Sequence, residues 1–131
     1  QRIDELGLGH HVTLLGTVTP DRVGAALDSA DLFLLPTLGE NFCVSAAEAI
    51  VHGRPVVIGA TGGQGEYLTE QTGILVPSQS AARYADAVMT LLERTQGMQA
   101  SAIAATIGDR FSSESVLRGY EAAYAEATST R

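Results

Sequence analysis

The sequence predicts an α/β fold: a parallel sheet of about four strands with flanking helices and a helical C-terminus, in one domain over residues 1–131. Three observations carry this. Short apolar runs without alternation recur along the first two-thirds of the chain, as in strands covered on both faces. Between them lie stretches with apolar residues at helical spacing, the strand–helix–strand order of crossover connections. After Pro77 only helical patterns remain.

Taken in order, Val12–Leu15 reads as a first strand ending at Gly16. Pro20-Asp21 opens a short helix with Val23, Ala26, Leu27 and Ala30 on one face. Leu32–Leu35, bounded by Asp31 and Pro36, is the second strand. A helix then runs from about Cys43 to His52, stopped by Gly53 as its C′ residue, with Pro55 two positions on. Pro55–Ile58 is the third strand and Gly73–Val76 the fourth. Ser80 is the N-cap of a helix reaching about Glu93, with Tyr84, Val88, Leu91 and Leu92 inward. Ala100–Ile107 forms an alanine-rich helix, and Met89 and Met98 are expected as core fill. Ser112 or Ser113 caps a last helix carrying Val116, Leu117, Tyr120 and Tyr124, with 122–131 expected to fray.

Composition narrows the class. A chain of 131 residues, 45% hydrophobic, suits one domain burying about two-thirds of its unfolded surface. The net charge is −7, and all eight basic residues are arginines, which argues against a nucleic-acid partner. No apolar run approaches the roughly 20 residues of a membrane span. A single cysteine, Cys43, excludes an internal disulfide and a multi-cysteine zinc site. A cytoplasmic location is expected. Gln1 is not an initiator methionine, so the chain is expected to be a segment of something longer.

Ligands of open α/β sheets bind outside the carboxyl ends of the strands. Three loops fall there: Gly16–Pro20, Pro36–Phe42 and Gly59–Glu66, the last with four glycines in eight residues. No Gly-Lys-Ser/Thr follows, so this is not a Walker A loop, and the G-x-G-x-x-G order is missing. Glu40 precedes the Cys43–His52 helix and Glu48 lies inside it, with seven residues between them. The amides of Cys43, Val44 and Ser45 at that helix start offer a seat for phosphate. Carboxylates beside an anion site suit sugar hydroxyls rather than phosphate. The combination points to a nucleotide-sugar. Other readings are plainer. Ser45, Glu48 and His52 share a helix face, which reads as a polar surface because no G-x-S-x-G elbow surrounds Ser45. His10 and His11 are loop residues without metal-ligand spacing, and Cys43 reads as a small packing residue. Glu40 alone would be a solvated loop acid.

The run Glu40-Asn41-Phe42-Cys43-Val44-Ser45-Ala46-Ala47-Glu48-Ala49, followed by Gly53-Arg54-Pro55-Val56-Val57, closely resembles the donor motif of the retaining GT-B glycosyltransferases, the large group 1 family. That family reads Glu-(Gly/Asn)-Phe-Gly, then Glu-Ala, then Gly-x-Pro-Val. Val12–Val18, Asp31–Pro36, Gly62–Glu66 and Thr72–Val76 resemble its flanking segments in order, and Phe111-Ser112 with Tyr120 and Tyr124 resembles its terminal helix. The resemblance implies a Rossmann-like, partial C-terminal lobe that binds a nucleotide-sugar donor. Glu40 would then be the catalytic residue that contacts the transferred sugar, and Glu48 would bind the ribose. The amides of Val44 and Ser45 would hold the diphosphate, within a binding segment that also includes Asn41, Phe42 and Cys43. The backbone of the loop carrying Gly16 and Val18 would meet the base. Neither metal nor resident cofactor is implied.

The sequence departs from that pattern in three places. Cys43 replaces the family's glycine after Phe42, and Gly65 replaces a loop proline. The family's Arg and Lys that clamp the diphosphate have no counterpart, and the chain has no lysine. Charge-assisted contacts contribute about 1.5–3 kcal/mol each, so donor affinity should fall roughly a hundredfold or more. The chain alone is therefore expected to be inactive. Its implied partners are the donor and an N-terminal acceptor lobe, with peripheral membrane association of the intact protein and a homodimer of this piece left open. The alternative is a non-catalytic nucleotide or nucleotide-sugar binding module acting in an assembly. In a sheet ordered 3-2-1-4-5-6, Val12–Leu15 and Leu32–Leu35 as third and fourth strands lack the two between them. The expectation is direct pairing into a four-stranded sheet, or association through the gap.

Overall fold

In a computed structural model of the chain, which describes residues 2–129, the sheet has three strands rather than four. β1 (Phe33–Leu35), β2 (Val56–Gly59) and β3 (Gly73–Val76) are all parallel, in the order β1-β2-β3. Phe33 lies opposite Val56, and Val56 opposite Gly73. The central strand is buried at every position, which is why its sequence carries no polar alternation.

Val12–Leu15 forms no strand, and direct pairing with Leu32–Leu35 does not occur. The physical reason lies in the strand order. A third strand reaches the fourth only through the two between them, so without those it has no hydrogen-bonding neighbour. Leu14 and Leu15 are accordingly 80% and 56% exposed, and the outer edge of β1 is open among the described residues.

Helices cover both faces. α1 (Arg2–Glu5) is a single turn that sequence patterning did not indicate. α2 (Pro20–Asp28) starts with its proline in the first turn and buries Leu27. α3 (Val44–Val51) joins β1 to β2 and buries Ala46, Ala47, Ala49 and Ile50. It ends in a Schellman motif, with the Gly53 amide donating to the Ile50 carbonyl at 2.8 Å and the Arg54 amide to that of Ala49 at 2.8 Å. Gly53 has φ +73 and packs where Ala100 leaves no room for a side chain. α4 (Ala81–Thr95) buries Tyr84, Ala87 and Leu91 on the opposite face, while Met89 is 60% exposed and is not core fill. α5 (Ala100–Ala104) is shorter than the alanine pattern indicated. α6 (Ser113–Ser129) is capped by the Ser112 hydroxyl, which accepts from the Ser115 amide at 3.1 Å. It continues through Ser129 instead of fraying from residue 122, and none of its residues is buried; Gln1, Thr130 and Arg131 lie outside the described residues.

Two cores result. Val56 and Ile58 face α3, Leu27, Tyr67, Ile103 and Ile107, whereas Val57 faces α4 and Val76. Between β2 and β3 the chain makes a short 3-10 helix, Gly63–Glu66. Gln64 within it is fully buried, and neither its amide nitrogen nor its oxygen has a hydrogen-bond partner among the described residues. A buried amide left unpaired costs about 1–3 kcal/mol.

Two stability outcomes follow. Gln64→Met should raise stability by about 1 kcal/mol, read as a higher urea midpoint at constant slope. An unchanged or lower midpoint would mean that the amide is satisfied. Gly62→Ala should destabilise by about 1–3 kcal/mol, because its Cβ would overlap the Glu40 carbonyl oxygen and lie 2.8 Å from that of Asn41. A melting temperature equal to the parent's would contradict that packing.

Candidate functional site

Because β1 and β2 are paired and parallel, the loops leaving their carboxyl ends lie side by side. They approach closer than side chains would allow. A Cβ on Gly59 would come within 2.6 Å of the Thr37 carbonyl oxygen, and Gly62 abuts the backbone of Glu40 and Asn41. The Gly63 amide donates to the Asn41 carbonyl at 2.6 Å. The glycine loop thus fixes the Glu40 loop, a role distinct from flexible connection or direct ligand contact. Glu40 itself is half-buried and Asn41 is exposed.

Cys43 follows, the single non-glycine residue with positive φ among those described (φ 61, ψ 74). It is the N-cap of α3, a position that ordinarily has β-region dihedrals. Its side chain is 4% exposed and packs in the core, with Sγ 3.5 Å from the Ser45 hydroxyl oxygen. The amides of Ala46 and Ala47 donate to the Cys43 carbonyl at 3.1 and 3.3 Å. Those of Val44 and Ser45 donate to no group among the described residues, and both residues are exposed.

Glu48, exposed on α3, stands between two clefts. One, of about 280 Å³, separates α2 from α3 and is lined by Val18, Pro20, Val23, Gly24, Leu27, Glu48 and His52. The other, of about 370 Å³, is lined by Phe42, Val44, Ala47, Glu48, Val51, His52 and Phe111. Val18 and Glu48, remote in sequence, therefore meet in one cleft, whereas Gly16 (φ 65) and Glu40 line neither. A larger apolar cleft of about 530 Å³ beside the open edge of β1, around Leu34, Tyr84 and Met89, holds no charged residue. No group of three or more His, Cys, Asp or Glu side chains gathers among the described residues.

Two contacts escaped sequence reasoning. His52 Nδ1 lies 2.7 Å from Asp28 Oδ1 and ties α3 to α2 across the smaller cleft. The Tyr67 hydroxyl donates to the Phe42 carbonyl at 2.8 Å and to that of Cys43 at 2.9 Å. The only sequence signals are a polar tip at one helix end and a tyrosine after the glycine loop; neither reveals its partner before the chain is folded. The Tyr67 phenol is pushed up from 10.0 to about 12, chiefly by burial and then by the negative charges of Cys43 and Glu40. A folded-state value above the unfolded one means that its stabilising contribution is complete below about pH 10 and is lost between about pH 10 and 12. The stability difference between the parent and Tyr67→Phe should shrink across that interval, as followed by urea unfolding; a constant difference would rule this out.

Residues 1–94 match the family described as glycosyl transferases group 1. The chain is 35% identical over 126 residues to the D-inositol 3-phosphate glycosyltransferase of Mycobacteroides abscessus, covering 93% of this chain and 28% of that protein. With the Mycobacterium leprae enzyme of the same name it shares 35% over 136 residues, covering 98% and 32%. Among solved structures, sucrose-phosphate synthase from Thermosynechococcus elongatus superposes with a TM-score of 0.80 at 26% identity, over 99% of this chain and 33% of that one. The catalytic domain of starch synthase IV from Arabidopsis thaliana, bound to ADP and acarbose, gives 0.71 at 17% identity over 96% and 28%, a likeness of fold. The chain spans about a third of the length of the curated relatives it matches. Its three-stranded parallel sheet with flanking helices is part of a GT-B fold, and the chain belongs to the group 1 glycosyltransferase family.

Proposed function

We propose that the chain is the donor-binding part of a retaining, metal-independent glycosyltransferase that takes its sugar from a nucleoside-diphosphate sugar. One observation carries the reading: Glu48 shares one cleft with Val18 and the other with Val44, whose amide, like that of Ser45, has no partner among the described residues. In this reading the base enters between α2 and α3, the Glu48 carboxylate accepts from ribose hydroxyls, and the two amides with the α3 dipole receive the diphosphate. Glu40, held by Gly62 and Gly63, faces the sugar and stabilises charge developing at the anomeric carbon. Asn41, Phe42 and Cys43 shape the turn between them. No cofactor enters; the donor is a substrate, and the acceptor belongs to a separate lobe.

Calorimetric titration with ADP, GDP and UDP tests the reading. Each diphosphate that binds should do so more tightly than its nucleoside. Glu48→Ala should weaken that binding by roughly tenfold to a hundredfold, the range for a charged hydrogen bond, without altering the fold seen by circular dichroism. Equal affinity in parent and variant would remove Glu48 from the site. In the intact transferase, Glu40→Ala should lower kcat at least a hundredfold while leaving donor KM within about threefold, since it acts as charge develops. Unchanged kcat would end its catalytic assignment.

A further inference from the structure

We propose that Tyr67 is a positioning residue, whose hydroxyl locks the left-handed turn at Cys43 and so aims the Val44 and Ser45 amides at the donor diphosphate. The proposal rests on the donor-site reading above. Its starting point is an energetic oddity. A non-glycine residue in the left-handed region is strained by its Cβ, and such strain persists only where the surroundings enforce it. Cys43 has that conformation at the position where α3 begins.

The enforcing contact is visible. Helical dihedrals of either hand bring successive carbonyls into rough alignment, whereas extended dihedrals oppose them. The turn at Cys43 is thus what lets the Phe42 and Cys43 carbonyls converge on one donor, the Tyr67 hydroxyl, at 2.8 and 2.9 Å. The Cys43 carbonyl is held by the Ala46 and Ala47 amides as well, so an extended Cys43 would swing the Phe42 carbonyl away from the hydroxyl. The hydroxyl and the turn therefore require each other.

Tyr67 is itself fixed. Its ring is 3% exposed and packs against Phe42 and Phe111, with centroids 4.9 and 5.9 Å away. Phe42 and Phe111 meet edge to face at 5.1 Å, and Arg110 donates to the Glu66 carbonyl beside Tyr67. Chain on both sides of the phenol is held, so the hydroxyl is a fixed reference for the turn. A one-sided role in packing would need only the ring. The hydroxyl is the part that addresses the backbone of the amide-bearing segment.

The test separates ring from hydroxyl. Tyr67→Phe keeps the aromatic contacts and removes the donor, and Cys43→Gly makes the left-handed turn free of strain. ADP, GDP and UDP and their nucleosides are titrated into the parent, both single variants and the double variant. Tyr67→Phe should lose about five- to tenfold in diphosphate affinity, as for one hydrogen bond, with nucleoside affinity unchanged. Adding Cys43→Gly should restore diphosphate affinity to within about twofold of Cys43→Gly alone. If Tyr67→Phe by itself fails to fold, adding Cys43→Gly should restore the fold. Diphosphate affinity unaffected by Tyr67→Phe, or lost without rescue by glycine, overturns the proposal while the donor site stands. A parent that binds diphosphates no better than nucleosides overturns the donor-site reading itself.

Discussion

The structure depends on β2 as a wall shared by two cores. Val56, Val57 and Ile58 are fully buried, and alternate residues belong to different clusters, Val56 and Ile58 with α3 and Val57 with α4. Burying each such side chain contributes about 1.5–3 kcal/mol, and no other strand is covered on both sides along its whole length. β2 also carries both ladders, to β1 and to β3. Its carboxyl end therefore fixes where the neighbouring loops begin, and the site inherits that position.

From β2 outward, the site is built by close backbone approach rather than by side-chain bulk. Gly59 and Gly62 remove the Cβ atoms that would hold the two loops apart, and the Gly63–Asn41 hydrogen bond closes them. The strain at Cys43 is of order 1–3 kcal/mol and has to be offset locally. The partners that do so come from three separate segments: Phe42 before the turn, Tyr67 after the glycine loop, and Phe111 ahead of α6. A single helix start is thus determined by chain that is 25 and 69 residues away in sequence from Phe42.

This explains what could be read from the sequence. β3 matches its apolar run, and α3 lies within one residue of its expected ends because Gly53 and Pro55 act locally. The family likeness of the Glu40–Glu48 segment was legible for a similar reason: its motif is contiguous. Val12–Leu15 has equal apolar character, yet strand formation depends on neighbours that a linear pattern does not supply. The conformation of Cys43 was hidden because cysteine gives no sign of positive φ where glycine would. Tyr67 and the His52–Asp28 pair were hidden because their roles are contacts across 24 or 25 residues, without periodicity.

The charge distribution bears on how such a site would hold an anion. Net charge is −7, and several arginines are committed to backbone: Arg54 to the Ala30 and His52 carbonyls, Arg94 to that of Glu70, and Arg110 to that of Glu66. Arg118 sits between Asp109 and Glu114, and Arg2 beside Glu5. None of these lines the clefts flanking Glu48. The start of α3 adds positive potential nearby, where a helix dipole contributes about 0.3–1 kcal/mol toward an anion. On the proposed reading, two amides and a dipole would orient a diphosphate, because their direction is set by the Cys43 turn, but they would neutralise little of its charge. Orientation and neutralisation would then be separable tasks: the turn at Cys43 would serve the first, and none of these arginines stands in the clefts to serve the second.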